Sequence, residues 1–326
     1  MSIDLNGAKV LVTGGAGFLA TNYILHLVER GAQVRATLHN KNPKVKVDGV
    51  EYIKTDLRDL ANCEVAVKGM DYVFHCAANT QGAGVIATTP MVHVTPNVVM
   101  NTHLMEAAYV EGIKKFVFIG SGASYPDTGD RPVTEPEMLD EHPSPVYHAV
   151  AWMKRYAEIL CETYATHLKK PMPCLVIRPS NVYGPWDKYD PKSSHVTAAM
   201  IRKVFERQTP IEVWGTGEDI RDLIYIDDFM EGSFKAFACE DDYLAINICS
   251  GYGVTVKDIL NTAIEAESFD NHDVRFDPSK PSTVPIRLIS NEYAKTKIDF
   301  EAKTNLLDGI RQTCDWLRSH PEILEG

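Results

Sequence analysis

The sequence has little of what marks a nucleic-acid-binding, membrane-spanning or secreted protein. Its 33 lysine and arginine residues are outnumbered by 44 aspartate and glutamate residues, and the net charge of -11 argues against a general nucleic-acid binder. No apolar run is long enough to cross a bilayer, and the start of the chain lacks the basic and apolar segments of a signal peptide. The seven cysteines form no C-x-x-C pair, which predicts reduced thiols in a cytoplasmic protein and neither a disulfide framework nor a metal site.

What the sequence does have is a short apolar run followed by a glycine-rich turn. Residues 9–13 are typical of a buried parallel strand, and a helical pattern follows over about residues 16–30. The turn reads Gly14-x-x-Gly17-x-x-Ala20, close to the fingerprint of dinucleotide-binding turns, and the start of such a helix suits a pyrophosphate. We predict that four residues here contact a dinucleotide cofactor: Gly14, Gly17, Phe18 and Leu19.

Strands and helices alternate in the first half of the 326-residue chain. The predicted strands are 9–13, 33–38, 50–54, 72–75, 115–119 and 174–178, and the clearest helices are 97–111 and 149–167. This order predicts an α/β fold with a doubly wound parallel (Rossmann) sheet over residues 1–178.

After Pro179 the loops lengthen and proline becomes frequent, which predicts a smaller mixed substrate lobe over residues 179–326, with some exchange of segments between the lobes. Its predicted strands are 211–214, 222–226 and 245–248, and its helices are 196–206, 228–237, 256–266 and 306–318. Open α/β sheets bind ligands at the carboxyl edge, which this lobe would close over.

Further cofactor contacts are expected where later strands end. Asp56 suits an adenine amino group, unless it caps the next helix, and the small Ala77 and Ala78 leave space beside a pyrophosphate.

The second strand ends without the carboxylate that binds the ribose 2′-hydroxyl in NAD enzymes. Instead it continues as Leu38-His39-Asn40-Lys41, and Arg35, His39 or Lys41 could neutralise a 2′-phosphate unless they are solvated loop charges. The pattern therefore favours NADP over NAD.

Several motifs follow one another through the middle of the chain. Ser121, after the fifth predicted strand, can donate a hydrogen bond to a sugar oxygen, and Lys154 lies in a predicted helix. Downstream come residues 178–185, 214–217 and 221–228. Together these motifs resemble the extended short-chain dehydrogenase/reductase group, the NAD-dependent epimerase/dehydratase family that acts on nucleotide sugars, over nearly the whole chain.

The resemblance implies hydride exchange at C4 of a nucleotide-diphosphate hexose through a 4-keto sugar. It also implies a homodimer paired through the helices at 97–111 and 149–167. Five further residues match positions that contact the cofactor in this family: Leu57, Lys154, Pro179, Asn181 and Val182.

The chemistry of this family needs a tyrosine four residues before a lysine. On a helix this spacing places both on one face, about 6 Å of rise apart, and the ammonium lowers the phenol pKa from about 10. Here Tyr147 has no lysine four residues on, whereas Lys154 is followed at the family spacings by Glu158 and Tyr164. Lys154 is therefore the favoured family lysine, and the tyrosine position holds Val150, which has no proton to exchange.

Three explanations of this valine stay open. In the first, position 150 was altered, for example to trap a substrate. In the second, Tyr147 takes the role of the tyrosine, from about 10 Å along a continuous helix. In the third, another acid supplies the proton. Loss of a general acid–base costs about 10²–10⁴ in rate, so we expect weak or absent turnover with cofactor binding intact.

The segment 184–196 looks most similar to the GDP-L-fucose synthase-like members, which epimerise a 4-keto sugar at C3 and C5 and then reduce C4. The resemblance implies that His195 protonates an epimerisation centre, unless it is a helix-capping or core histidine. The cysteine that serves these enzymes as base is replaced here by Ala123. Either the base was removed along with the tyrosine, or the chain does not epimerise at C3 and C5, which favours a plain 4-reductase or a C4 epimerase.

On the substrate side, Arg221 resembles the family arginine that pairs with the diphosphate, unless it forms a surface ion pair with Asp222 or Glu218. Asn181 matches the family amide, unless it simply forms a turn. Val196 and Trp214 suit the nucleotide base or the core, and the fucose synthase likeness leans to guanine.

Two other functions compete with this one. A nucleotide-sugar 4,6-dehydratase needs an acid pair where Gly122 and Ala123 stand, so it ranks low. A non-catalytic NAD(P)-binding scaffold or sensor would have lost its tyrosine naturally.

Overall fold

The structure is a computed structural model that describes residues 4–79, 89–191, 194–280 and 284–324. Lys192 and Ser193 of the fucose synthase-like segment lie outside the described residues.

The large sheet contains seven parallel strands in the order β10-β6-β5-β4-β1-β2-β3. Their bounds are β1 Lys9–Thr13, β2 Gln33–Leu38, β3 Glu51–Lys54, β4 Tyr72–His75, β5 Lys115–Ile119, β6 Cys174–Pro179 and β10 Tyr243–Ile248. The chain reverses its winding direction between β1 and β4, so the carboxyl ends of these strands form the crevice in which open α/β sheets bind ligands. The prediction of a doubly wound parallel sheet is confirmed.

Helices cover both faces of this sheet because alternate strand residues point to opposite sides. Val10 and Val12 of β1 pack in one core with Tyr23, whereas Leu11 packs in a second core with Leu104. The described helices are α1 Phe18–Glu29, α2 Leu60–Val67, α3 Met91–Glu111, α4 His148–Thr166, α5 Val196–Phe205, α6 Ile226–Phe237, α7 Val256–Ala266, α8 Glu292–Ile298 and α9 Leu306–Ser319.

Two smaller sheets complete the chain. Strands β7 Asn181–Tyr183, β9 Ile220–Tyr225, β11 Gly253–Thr255 and β13 Ile286–Arg287 form a mixed sheet around β9. Strands β8 Ile211–Trp214 and β12 Val274–Asp277 form a parallel pair. The expected smaller mixed component is therefore present.

The structure differs from the sequence prediction at two elements. The strand predicted at 245–248 joins the large sheet as β10, which is an exchange of a segment between the lobes. Helix α3 begins at Met91, not at residue 97, and contains Pro96 as its sixth residue, where the missing N–H removes one backbone hydrogen bond. The lobe boundary at residues 178 and 179 stays a prediction.

All seven cysteines are free thiols. Among the helices that the structure describes, none is long and apolar enough to span a membrane.

Candidate functional site

The turn after β1 allows a ligand to approach the backbone closely. Gly14 has a φ of 73°, and a Cβ at this position would lie 2.8 Å from Ala77 Cα. Gly17 donates its N–H to Gly14 O at 2.7 Å. Helix α1 begins at Phe18 with Gly17 as its N-cap, and no side chain caps it, so its first N–H groups suit an anion such as a pyrophosphate.

A buried histidine fixes this turn, and the sequence analysis did not find it. His75, at the end of β4, donates from Nε2 to Asn101 Oδ1 at 2.8 Å, so its Nδ1 accepts the Thr13 hydroxyl at 2.7 Å. Thr13 Oγ1 accepts from the Ala77 N–H at 3.0 Å. Burial lowers the pKa of His75 to about 4, which keeps the ring neutral. This chain of hydrogen bonds positions Ala77 against Gly14, and a histidine closing an apolar strand was its signal in the sequence.

The residues after β2 and β3 form a small charged group. His39 Nε2 lies 3.6 Å from Asp56 Oδ2, and Arg58 donates to both carboxylate oxygens of Asp56 at 2.5–3.0 Å. The hydrogen bonds from Arg58 lower the pKa of Asp56 to about 2. Helix α2 is capped by Asp59, which accepts from the Ala61 N–H, so the suggestion that Asp56 is a helix cap is wrong.

The Arg35 side chain is held away from the position of a cofactor 2′-phosphate. Its guanidinium donates to Glu51 Oε2 at 2.8 Å and to the carbonyl oxygens of Ala66 and Lys68 at 3.1 and 3.0 Å. These bonds hold it against the outer strand β3 and the end of α2. His39 and the exposed Lys41 stay as candidates.

The other predicted cofactor residues differ in what they can offer. Leu57 is buried in the core, so any contact there would come from its backbone. Ala78 is exposed. Half-buried side chains occur at Phe18, Leu19, Pro179, Asn181 and Val182.

Lys154 reaches from α4 to the carboxyl end of β5. Its Nζ donates to Ile119 O at 2.7 Å and lies 4.7 Å from the centroid of the Phe118 ring. Burial lowers the pKa of this ammonium to about 8, although the Glu158 carboxylate one turn further along the helix opposes the shift. The lysine is thus anchored two residues before Ser121.

Tyr147 does not pair with Lys154. Helix α4 begins at His148 with Tyr147 as its N-cap, and no hydrogen bond joins the phenol to Lys154 within the described part of the chain. Burial lowers the pKa of the Arg287 guanidinium, and the Tyr147 phenol is among the groups that oppose this shift. Tyr147 therefore precedes the first turn of α4, whereas the half-buried Val150 is one turn before Lys154.

The loop after β5 carries the predicted hydroxyl group. Ser121 Oγ accepts from the Ala123 N–H at 3.2 Å, which leaves its hydroxyl hydrogen to donate to a ligand oxygen. Ala123 is half-buried and offers only a methyl group.

Arg287 binds the far end of the same loop and is a site residue that the sequence analysis missed. It donates to Pro126 O at 2.7 Å and to Asp127 Oδ1 at 2.8 Å. In the parallel pair of β13 and β9 it is the register partner of Arg221, so the two side chains leave the sheet on the same face. Its Nε has no hydrogen-bond partner among the described residues.

Arg221 is held next to Asp219. Its side chain is only 11% exposed, and its Nη2 lies 3.3 Å from Asp219 Oδ2. The alternative of a surface ion pair with Asp222 or Glu218 is therefore wrong. The buried Asp222 carboxylate is instead occupied by backbone N–H groups of the loop after β10.

Asn181 lies in strand β7, so the suggestion that it forms a turn is wrong. Its Nδ2 donates to Asp222 O at 3.0 Å, which orients the amide.

His195 is exposed and is the N-cap of α5, but its side chain makes no capping hydrogen bond. The alternative of a core histidine is therefore wrong, whereas the alternative of a helix-capping histidine is confirmed for its position but not for its side chain. The nearby Asp187 is buried, and one carboxylate oxygen, Oδ2, has no hydrogen-bond partner in the described residues. Burial raises the pKa of Asp187, and the charge of His195 opposes that shift.

The two candidates for the nucleotide base lie in different surroundings. Val196 is half-buried against the core. Trp214 is 61% exposed, with Lys280 Nζ 6.0 Å from its ring centroid, so it is not a core residue.

Within the residues that the structure describes, no group of three or more His, Cys, Asp or Glu side chains could hold a metal ion. The uncapped start of α1, the close Gly14–Ala77 contact and the small residues beside it do fit a dinucleotide.

Comparisons with known proteins agree with this geometry. Residues 10–249 match the model of the NAD dependent epimerase/dehydratase family. The chain is 27% identical to dTDP-4-dehydro-6-deoxy-D-allose reductase of Streptomyces bikiniensis, over 96% of this chain and 97% of that protein. It is 26% identical to GDP-L-fucose synthase 1 of Arabidopsis thaliana, over 97% and 94% of the two chains.

A solved structure shares the whole fold. The UDP-glucose 4-epimerase of Thermotoga maritima, solved with UDP-glucose, superposes with a TM-score of 0.85 at 25% identity, and the match covers 96% of this chain and 99% of that one. From the family match, this likeness and the dinucleotide-binding turn, we conclude that the chain belongs to the NAD dependent epimerase/dehydratase family of nucleotide-sugar epimerases and reductases.

Proposed function

We propose that this protein exchanges hydride at C4 of a nucleotide-diphosphate hexose through a 4-keto sugar, with NADP as cofactor and a GDP-linked substrate. One observation carries the proposal. The loop of residues 120–127 has Lys154 anchored at its start, through Ile119 O, and Arg287 bound at its end, through Pro126 O and Asp127. A single loop thereby joins the cofactor side of the site to a pair of arginines.

Each residue then has a distinct task. The paired Arg221 and Arg287 suit the two phosphates of the substrate, because a guanidinium fork matches phosphate oxygens. The Ser121 hydroxyl donates to the oxygen at C4, where negative charge grows as the carbonyl is reduced. When bound, the nicotinamide supplies the hydride that adds to the C4 carbon, or takes it in the reverse direction. A proton must also reach the C4 oxygen, and the family supplies it from the tyrosine position.

We infer that Val150 stands at that position and that turnover by this chain is weak or absent. The helical register supports this, because Val150 precedes Lys154 by one turn on α4. The position of Tyr147 at the N-cap, seven residues before Lys154, makes it the less favoured substitute. Three explanations stay open: an alteration at position 150, Tyr147 as the substitute, and a different acid.

The stereochemistry follows from Ala123. A methyl group cannot remove a proton from C3 or C5, so we propose a plain 4-reduction or C4 epimerisation, in which the exposed His195 is not needed as a proton donor. A 4,6-dehydratase needs an acid pair that Gly122 and Ala123 do not provide.

The preference for NADP depends on the loop after β2. Directly after β2, residues 39–41 include His39 and Lys41 and no carboxylate, and a 2′-phosphate would find positive charge there. His39 already lies beside Asp56, so Lys41 is the stronger candidate.

We also propose that the protein is a homodimer in the cytoplasm. Helix α4 carries exposed apolar side chains at Trp152, Tyr156 and Ile159, between 38% and 44% exposed, and it packs beside α3. Two such helix pairs would bury this surface as a four-helix bundle. Sedimentation at micromolar concentration tests this, and a strictly monomeric species contradicts it.

The test of the function uses the purified full-length chain with NADPH and a 4-keto GDP-sugar, followed by absorbance at 340 nm and by mass spectrometry of the sugar. Slow NADPH oxidation with a 4-hydroxy sugar as product supports the reductase, and the same assay with dTDP- and UDP-linked sugars tests the base. Tight NADPH binding without turnover, unrepaired by Val150→Tyr, instead supports the non-catalytic scaffold.

A further inference from the structure

Lys44 joins the loop after β2, on the proposed cofactor side, to the chain that follows β7 on the substrate side. Its Nζ donates to Trp186 O and, at 2.8 Å, to Asp187 O. The side chain is half-buried, so these hydrogen bonds are partly shielded from water and are stronger than at an open surface. Lys44 lies three residues after Lys41, the stronger candidate for a contact with the 2′-phosphate. One short loop therefore carries both the candidate for cofactor recognition and a contact with the substrate side.

The chain that Lys44 contacts is fixed at three successive carbonyl groups. Pro185 O accepts at 3.2 Å from Nδ2 of Asn22, which lies on helix α1 after the glycine-rich turn. The next two carbonyl groups are those bound by Lys44. Trp186 has a φ of 68°, a left-handed conformation that is unfavourable for a bulky side chain and persists only where its surroundings hold it. Loss of the Lys44 contact should therefore loosen residues 184–190.

The same segment is joined to helix α5, where two candidate site residues lie. Tyr189 donates its hydroxyl to Gly184 O at 3.0 Å, and its carbonyl oxygen accepts from Arg202 of α5 at 2.8 Å. Helix α5 begins at Val196, directly after its N-cap His195. A change in the order of this segment is therefore passed to the helix that begins at both candidates.

Three ammonium groups share the surroundings of this contact. Burial lowers the pKa of Lys44 to about 8, and the charges of Lys188 and Lys41 add to this shift, whereas the Asp187 carboxylate opposes it. A phosphate bound by Lys41 would offset the repulsion between these ammonium groups, and it would favour the charged form of Lys44. NAD has a hydroxyl group in place of this phosphate and would not do so. The two cofactors should therefore differ in how strongly they support the Lys44 contact.

We propose that Lys44 is a positioning residue that carries recognition of the 2′-phosphate from the loop after β2 to residues 184–190, so that NADP orders this segment and α5 more strongly than NAD does. The inference rests on the proposed function, in which Lys41 contacts the 2′-phosphate. Because such coupling is reciprocal, the ordered segment in turn favours the binding of NADP.

Hydrogen–deuterium exchange followed by mass spectrometry tests this coupling on the purified full-length chain. Amide exchange of residues 184–190 is measured without cofactor, with saturating NADP+ and with saturating NAD+. We expect exchange to be at least threefold slower with NADP+ than with NAD+. Equal exchange rates with the two cofactors would overturn the inference and leave the proposed cofactor site in place, whereas absence of NADP+ binding in calorimetry would overturn both.

Three variants locate the effect. Lys44→Met keeps the length of the side chain without the ammonium, so the difference in exchange between NADP+ and NAD+ should disappear. Lys46→Met removes the same charge from an exposed position of the same loop and should keep the difference. Lys44→Arg retains donors for both carbonyl oxygens and should restore at least part of it. A difference that persists in Lys44→Met, or that is lost equally in Lys46→Met, would refute the role of Lys44. If Lys44→Met does not fold, the comparison of the two cofactors on the parent chain decides.

Discussion

The substitution Val150→Tyr should restore a general acid–base to the proposed catalytic site. Position 150 precedes Lys154 by four residues on α4, so the two side chains share a face, about 6 Å of rise apart. Lys154 is anchored on Ile119 O and keeps its charge at neutral pH, because its pKa is lowered to about 8 and no further. The new phenol would thus meet a fixed ammonium next to Ser121.

The expected gain follows from the proton transfer that the valine cannot perform. Lowering a phenol pKa from about 10 to about 7 corresponds to about 4 kcal/mol, and a positioned general acid–base contributes about 10²–10⁴ in rate. We therefore expect NADPH oxidation by Val150→Tyr, with saturating NADPH and a 4-keto GDP-sugar, to be about 10²–10⁴ times faster than by the parent chain. In this reductive direction the phenol must donate its proton to the C4 oxygen, so the rate should fall as pH rises above about 7, where a phenol with its pKa lowered to about that value is ionised.

Two controls isolate the hydroxyl. Val150→Phe adds the ring without the acid and should stay at the parent rate. Tyr147→Phe should also leave the rate unchanged, because Tyr147 lies at the N-cap and not beside Lys154. An unchanged rate in Val150→Tyr with intact NADPH binding would show that the register is wrong, and a loss of residual activity in Tyr147→Phe would identify Tyr147 as the substitute.

Three further predictions concern the cofactor half of the site. The fold favours the neutral form of His75, so the free energy of unfolding should fall by up to about 3 kcal/mol as pH drops from 6.5 towards 4. Urea unfolding of His75→Gln should lack this part of the pH dependence. Equal dependence of the unfolding free energy on pH in both proteins would refute the assignment. Lys41→Ala should weaken NADP binding by roughly tenfold and leave NAD binding unchanged, because one charge-assisted hydrogen bond contributes about 1.5 kcal/mol. Fluorescence titrations with both cofactors measure this, and an equal loss of affinity for both would contradict a contact with the 2′-phosphate. Gly14→Ala should lower the melting temperature more than the matched control Gly7→Ala, and it should abolish cofactor binding. Both glycines have a positive φ, but only at Gly14 would a Cβ lie 2.8 Å from another backbone atom. Equal shifts of the melting temperature in the two variants would refute this.

The sequence was sufficient to predict the parallel sheet because its strands are short apolar runs and its helices have clear apolar faces. It could not show that residues 243–248 complete the large sheet, since nothing local in a strand states which sheet it joins. The start of α3 was missed because Pro96 signals a break, although the helix continues through this proline.

The candidate site likewise contains residues that the sequence predicts and residues that it does not. Gly14 and Lys154 were found because their roles require a residue type at a fixed spacing. Arg287 was missed because it becomes a site residue only through the pairing of β13 with β9, far along the chain from Arg221. The helix-cap alternative for Asp56 was excluded by the cap at Asp59, and the alternative ion pairs of Arg221 by its contact with Asp219, neither of which sequence spacing specifies.

The most direct test of the central claim, that a nicotinamide cofactor binds across the carboxyl edge of the large sheet, is calorimetric titration of the purified chain with NAD+, NADH, NADP+ and NADPH. We predict saturable one-to-one binding, tighter for the phosphorylated pair and abolished in Gly14→Ala. Absence of heat with all four would contradict both the cofactor site and the proposed reaction.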